Sequence, residues 1–196
     1  IHPLSWLYDS LTIAGFDIVH LDFSDAKLSL QENEINLLRT IQWINDENPF
    51  AEITLIGASM GGLIAKMAIN DLVKADCCYP IVGYGSFDVP HRGAFIPIGL
   101  QADSKYYGEF LPFVPMARNP WSRVMNSEAA RGLLVTHFDP SARKEHEQLL
   151  RKAGALPLGI RTFAIANGSD MGIQQSLTDP FSRYFMHGLI LETCVK

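Results

Sequence analysis

One serine in this 196-residue chain sits in a context that specifies a reaction: Ser59, within Gly57-Ala58-Ser59-Met60-Gly61-Gly62. A hydroxyl between two glycines in G-x-S-x-G spacing is the pattern of a sharp strand-to-helix turn that holds a nucleophile clear of the sheet edge. The turn forces the serine into a strained backbone, and a Cβ at Gly57 or Gly61 is expected to crowd the crossing chain. At the start of the helix the Met60 N–H has no intrahelical partner. It can therefore donate to an oxyanion developing on a substrate, and the helix dipole adds to that pull. The run is neither G-x-G-x-x-G nor a loop ending in Gly-Lys-Ser/Thr, so the phosphate-binding readings fail on pattern.

The flanking residues are those the turn needs. Ile53-Thr54-Leu55-Ile56 is a short, β-branched apolar run, read as a buried strand. Leu63, Ile64, Met67 and Ala68 then recur at helical spacing. Upstream, Trp6, Leu7 and Leu11 predict a short helix ending at Gly15, and Phe16 to Phe23 reads as a mostly buried strand. Gln31 to Asn45 reads as a helix with one face marked by Ile35, Leu38, Ile41 or Gln42, and Ile44. Downstream, Ile81 to Phe87 is a strand with glycines where something packs close.

From His91 to about Leu156, prolines alternate with Phe95, Tyr106, Tyr107, Phe110, Phe113 and Trp121. Two helices are expected there. One starts near Ser127; the other has Asp139 as N-cap, Pro140 at its first position and Gly154 past its end. Ile160 to Ala166 is a further strand, and Asp179 to Val195 reads as a helix carrying Phe185, Leu189 and Ile190. Strands alternating with helices predict an α/β class: a mostly parallel sheet flanked by helices on both faces, with residues 92–156 as a largely helical cap. The expected organisation is one domain, with core parts at 1–91 and 157–196.

Composition removes several function classes. A net charge of −5 gives no electrostatic footprint for nucleic acid. No apolar run approaches the ~18 residues of a membrane span. Cys77, Cys78 and Cys194 form neither a disulfide framework nor a zinc pattern, and no metal or other cofactor is expected. The chain opens on Ile1 and closes just after an apolar stretch, so both ends are expected to be internal to a longer protein.

The elbow, together with Ser86-Phe87-Asp88-Val89-Pro90-His91-Arg92-Gly93-Ala94 and Ile96-Pro97-Ile98-Gly99-Leu100-Gln101, resembles the bacterial lipase-like α/β-hydrolases, a group related in pattern to triacylglycerol lipases and other esterases. The likeness covers roughly Gly15 to Gln101, and more weakly the strand ending at Asn167-Gly168. It implies an α/β-hydrolase fold and a carboxylic ester hydrolase. It also implies a second oxyanion-hole donor on a loop ahead of Ile1, and an often exported protein.

In that fold the catalytic order is serine, then a carboxylate, then histidine. Asp170 follows a strand end and is the expected acid, with Asp88 as the alternative. His187 alone follows Asp170 and is the expected base, unless the histidine lies beyond Lys196. His91 reads as a structural member of its turn, and His146 as solvated surface. The expectation is a Ser59–His187–Asp170 esterase with Met60 in the oxyanion hole, acting on a small-molecule ester or lipid. Two rivals keep the same elbow: a non-catalytic binding module, and an acyltransferase.

Overall fold

The computed structural model describes residues 5–76, 80–102 and 124–166. Its elements run α1 (Ser5–Ile13), α2 (Leu30–Glu47), β1 (Ile53–Ala58), α3 (Met60–Lys74), β2 (Ile81–Phe87), α4 (Glu128–Leu133), α5 (Ala142–Ala153) and β3 (Arg161–Ile165). The three strands form one parallel sheet in the order β1-β2-β3. The molecule is thus mixed α/β, and each strand reaches the next through helix.

Local chemistry fixes the element ends. Ser29 caps α2 through a capping box: its hydroxyl accepts from the Glu32 N–H, and the Glu32 carboxylate accepts from the Ser29 N–H. Gly154, at φ 47°, ends α5, a backbone that glycine adopts without a Cβ penalty. The expected start of α5 shifts. Asp139 is not its N-cap; the Asp139 carboxylate accepts from the Ser141 N–H in a turn, and the helix begins at Ala142 behind Ser141.

The core lies on one face of the sheet. Ile41 of α2 meets Ile53 and Leu55 of β1, Ala65, Ile69 and Leu72 of α3, and Tyr84 of β2. A second cluster joins Leu30, Leu63, Ile64 and Met67 to Ala129 of α4 and Leu149 and Ala153 of α5. The described helices of the 92–156 stretch are therefore packed against α3 and the start of α2. Lys152 of α5 reinforces this docking by pairing with the buried Glu34 of α2 and with Asp71 of α3. The Asn70 Nδ2 also donates to the Ala153 carbonyl at 2.6 Å. The buried Gln101 ties the segment 96–102 to 136–138, donating to the Ile96 and Thr136 carbonyls and accepting from the Phe138 N–H.

Three expectations are corrected. Phe16 to Phe23 is not a strand: among the described residues none pairs with it in a ladder, and Phe16 and Val19 are exposed. Ile35 faces outward, while the inner face of α2 holds the polar pair Asn33 and Glu34 beside Ile41. His146 is buried, not solvated; its Nδ1 is 2.8 Å from the Gly132 carbonyl, tying α5 to α4.

Candidate active site

The parallel register sets the carboxyl ends of the strands side by side. Ala58 pairs with Phe87, and Phe87 with Ile165. The bonding continues one residue further, with the Ser59 N–H donating to the Phe87 carbonyl at 2.9 Å and the Asp88 N–H to the Ile165 carbonyl at 2.7 Å. Ser59, Asp88 and Ala166 are thus neighbours along one edge, each one strand spacing, ~4.8 Å, from the next.

Ser59 is the single residue between β1 and α3, with φ 49° and ψ −125°. An L-residue with a side chain reaches this region only when its surroundings over-determine it, at a cost of about 1–3 kcal/mol. Here the constraint is visible on both sides: the strand is locked to β2, and α3 is buried from Leu63 through Ala65. The side chain stands exposed at the turn. Among the described residues, neither the Met60 nor the Gly61 N–H has an acceptor at the helix start beside the hydroxyl.

Glycine is required at two positions, one of them unexpected. A Cβ on Gly57 would sit 2.5 Å from the Gly62 Cα and 2.6 Å from the Gly61 carbonyl carbon, an overlap of backbone with backbone. At Gly61, by contrast, a Cβ would meet nothing within 4 Å. The crowded partner is Gly62, where a Cβ would overlap the Val89 side chain. Gly57 is crowded as expected; the second demand for space falls one residue later than expected, because the helix leans its Gly62 edge on the loop after β2.

Beneath the turn lies a layer that the sequence did not reveal. Tyr84 and Ser86 share the inner face with Leu55 and Gly57. The Tyr84 hydroxyl donates to the Gly62 carbonyl at 2.8 Å, which fastens the first turn of α3 to the sheet. Burial pushes the Tyr84 phenol up to about 12. His91 lies 3.3 Å from the Ser86 hydroxyl through Nε2, and burial, assisted by the Lys66 charge, lowers its pKa. His91 is therefore placed under the turn, bracing the loop, consistent with a structural part. The one signal available was the alternation Gly83-Tyr84-Gly85-Ser86, which puts both polar groups on the face that also carries Gly57.

The expected partners Asp170 and His187 lie outside the described residues, as do Cys77, Cys78 and Cys194. Asp88 falls on the same edge as Ser59, itself at φ 48°. Among the described residues, no group of three or more His, Cys, Asp or Glu could hold a metal ion, and no helix is long and apolar enough to cross a membrane. A cleft of about 370 Å³ runs between Ser29, Leu30 and Gln31 of the α2 start and Glu128, Arg131 and Glu145. No protein-family model matches the chain, and no curated protein or solved structure matches it.

Proposed function

We propose that this chain carries the nucleophilic half of a serine hydrolase of the α/β-hydrolase fold, cleaving carboxylic esters with an apolar acyl part. The observation that carries the reading is the backbone of Ser59: strain of this kind, on a serine between a parallel strand and a helix, has a catalytic use and no evident structural one. The Ser59 oxygen attacks the acyl carbon while a base removes its proton, and the Met60 N–H receives the charge that builds on the carbonyl oxygen. Collapse expels the alcohol, protonated by the same base, and leaves an acyl-enzyme that water hydrolyses. Asp170 and His187 remain the proposed acid and base. The apolar and aromatic stretch after β2 favours a lipid-like acyl group over a small polar ester.

The test is labelling of the chain with a fluorophosphonate probe, beside Ser59→Ala, His187→Ala and Asp170→Ala. Labelling that Ser59→Ala abolishes supports the reading, and its loss in folded His187→Ala identifies the base. A folded chain that does not label contains no activated serine, and the binding-module alternative then takes its place.

A further inference from the structure

The Met60 N–H belongs to the first turn of α3, where Met60 and Gly61 are only half-buried. Ser59 just before it is strained, and such strain persists only while the flanking backbone is held in place. On the strand side the hold is the ladder between β1 and β2. On the helix side the turn's own bond is long, with the Gly62 N–H reaching the Ser59 carbonyl at 3.2 Å. Two contacts with the sheet set how high this turn sits. One is a stop: Gly57 and Gly62 pass so closely that a Cβ on Gly57 would lie 2.5 Å from the Gly62 Cα. The other is a tie: the hydroxyl of Tyr84, a residue 2% exposed, donates to the Gly62 carbonyl at 2.8 Å. Among the described residues, it is the one side-chain hydrogen bond that reaches Met60, Gly61 or Gly62. In the register Tyr84 stands opposite Leu55, one inward-facing position before the Gly57–Ser86 pair, so the phenol approaches the turn from below.

We propose that Tyr84 is a positioning residue for the reaction: its hydroxyl draws the Gly62 carbonyl down onto the stop at Gly57 and so holds the Met60 N–H at the height where it meets the oxyanion formed at Ser59. This role presupposes Ser59 as the nucleophile of the proposed hydrolase. Tyr84 does not touch the reacting atoms; it acts through the turn. The Gly62 carbonyl already has a helical donor in the Lys66 N–H, so the phenol is not needed to satisfy it. A phenylalanine ring would fill the same space in the core, so the hydroxyl is not needed for packing either. What it adds is direction, a pull toward the sheet against a stop made of backbone. An oxyanion donor works through its placement, about 2.7–3.1 Å from the charged oxygen, so a small lift of the turn harms the rate far more than the fold. Burial pushes the phenol up to about 12, and the hydroxyl therefore keeps its proton, and the tie, through neutral pH.

The test is steady-state hydrolysis of a p-nitrophenyl fatty-acid ester by the wild type, Tyr84→Phe and Ile41→Val. Ile41 lies in the same core as Tyr84 but on α2, so its truncation loosens the core without touching the elbow. Tyr84→Phe is expected to lower kcat by about tenfold or more, short of the ~100- to 1,000-fold of deleting an oxyanion donor, with KM within about twofold. The pH midpoint of kcat/KM should stay where it is, because the base is untouched, and Ile41→Val should keep kcat within about twofold. Should Tyr84→Phe not fold, Tyr84→Met, which also lacks the hydroxyl and fills irregular space, decides in its place. A folded variant with the wild-type kcat overturns the proposal and leaves the hydrolase reading standing. A loss carried by KM, or shared by Ile41→Val, marks general loosening and overturns it as well. A wild type that neither cleaves the ester nor takes the fluorophosphonate refutes the hydrolase reading itself, and the role of Tyr84 with it.

Discussion

Replacing Ser59 by glycine should make the protein more stable while removing its hydroxyl. At φ 49° and ψ −125° the serine carries backbone strain worth about 1–3 kcal/mol, which glycine does not feel. Against this, glycine costs about 0.5–1 kcal/mol in unfolded-state entropy. The difference centres on a gain of about 1 kcal/mol. For a chain of this length that is a rise of about 2–4 °C in Tm. Ser59→Ala is the necessary comparison, since it deletes the same exposed oxygen and keeps the Cβ and therefore the strain. Thermal unfolding of the three proteins followed by circular dichroism should place Ser59→Gly highest, with Ser59→Ala near the wild type. If Ser59→Gly melts at or below Ser59→Ala, the turn is not strained, and the argument that a function sustains it fails with it.

Substitution of the three elbow glycines should separate sharply under denaturant. Gly61→Ala is expected to be neutral or to gain up to about 1 kcal/mol of helix propensity, since nothing lies within 4 Å. Gly62→Ala should cost about 1–3 kcal/mol as Val89 yields, and Gly57→Ala more than about 4 kcal/mol because only backbone can move; equal losses at Gly57 and Gly61 would contradict the packing. Glu34 is 1% exposed, and its burial raises its pKa above the ordinary 4.5 even though Lys152 opposes the shift. Because the folded state holds this proton more tightly than the unfolded state, the associated stability is complete below pH 4.5 and is lost as pH rises through the folded value. Glu34→Gln should flatten that decline in urea titrations across the window, and parallel curves for the two proteins would count against it. Tyr84→Phe removes a buried donor to the Gly62 carbonyl and should cost about 0.5–1.5 kcal/mol. As the phenol is raised from 10 to about 12, its stabilisation is present below pH 10 and lost as pH rises through 12. The wild type should therefore weaken over that range more steeply than Tyr84→Phe, which unfolding at graded alkaline pH can read.

Much of the architecture is legible in residue order because it rests on local rules. The β-branched run at Ile53–Ile56, the glycine-framed serine and the apolar spacing of α3 each restrict the backbone within a few residues, and together they define the turn at Ser59. The start of α4 behind Ser127 and the end of α5 at Gly154 are likewise set by neighbours in sequence. Pairing and burial are different, because they depend on what arrives from far along the chain. Phe16 to Phe23 has strand composition, but a strand exists only beside another, and no described strand pairs with it. Ile35 and Glu34 are adjacent residues with inverted fates: the arrival of Lys152, 118 positions later, lets the carboxylate go inside and leaves the isoleucine out. His146 is buried for a similar reason, held by the Gly132 carbonyl of a helix it does not belong to. The sequence alone determined where the glycine-framed serine would stand and which elements would hold it. Only the tertiary structure decided that Gly62 takes the pressure of Val89, that Tyr84 fastens the helix from below, and which face of the sheet its helices cover. Those outcomes follow from contacts between distant segments, which no local pattern encodes.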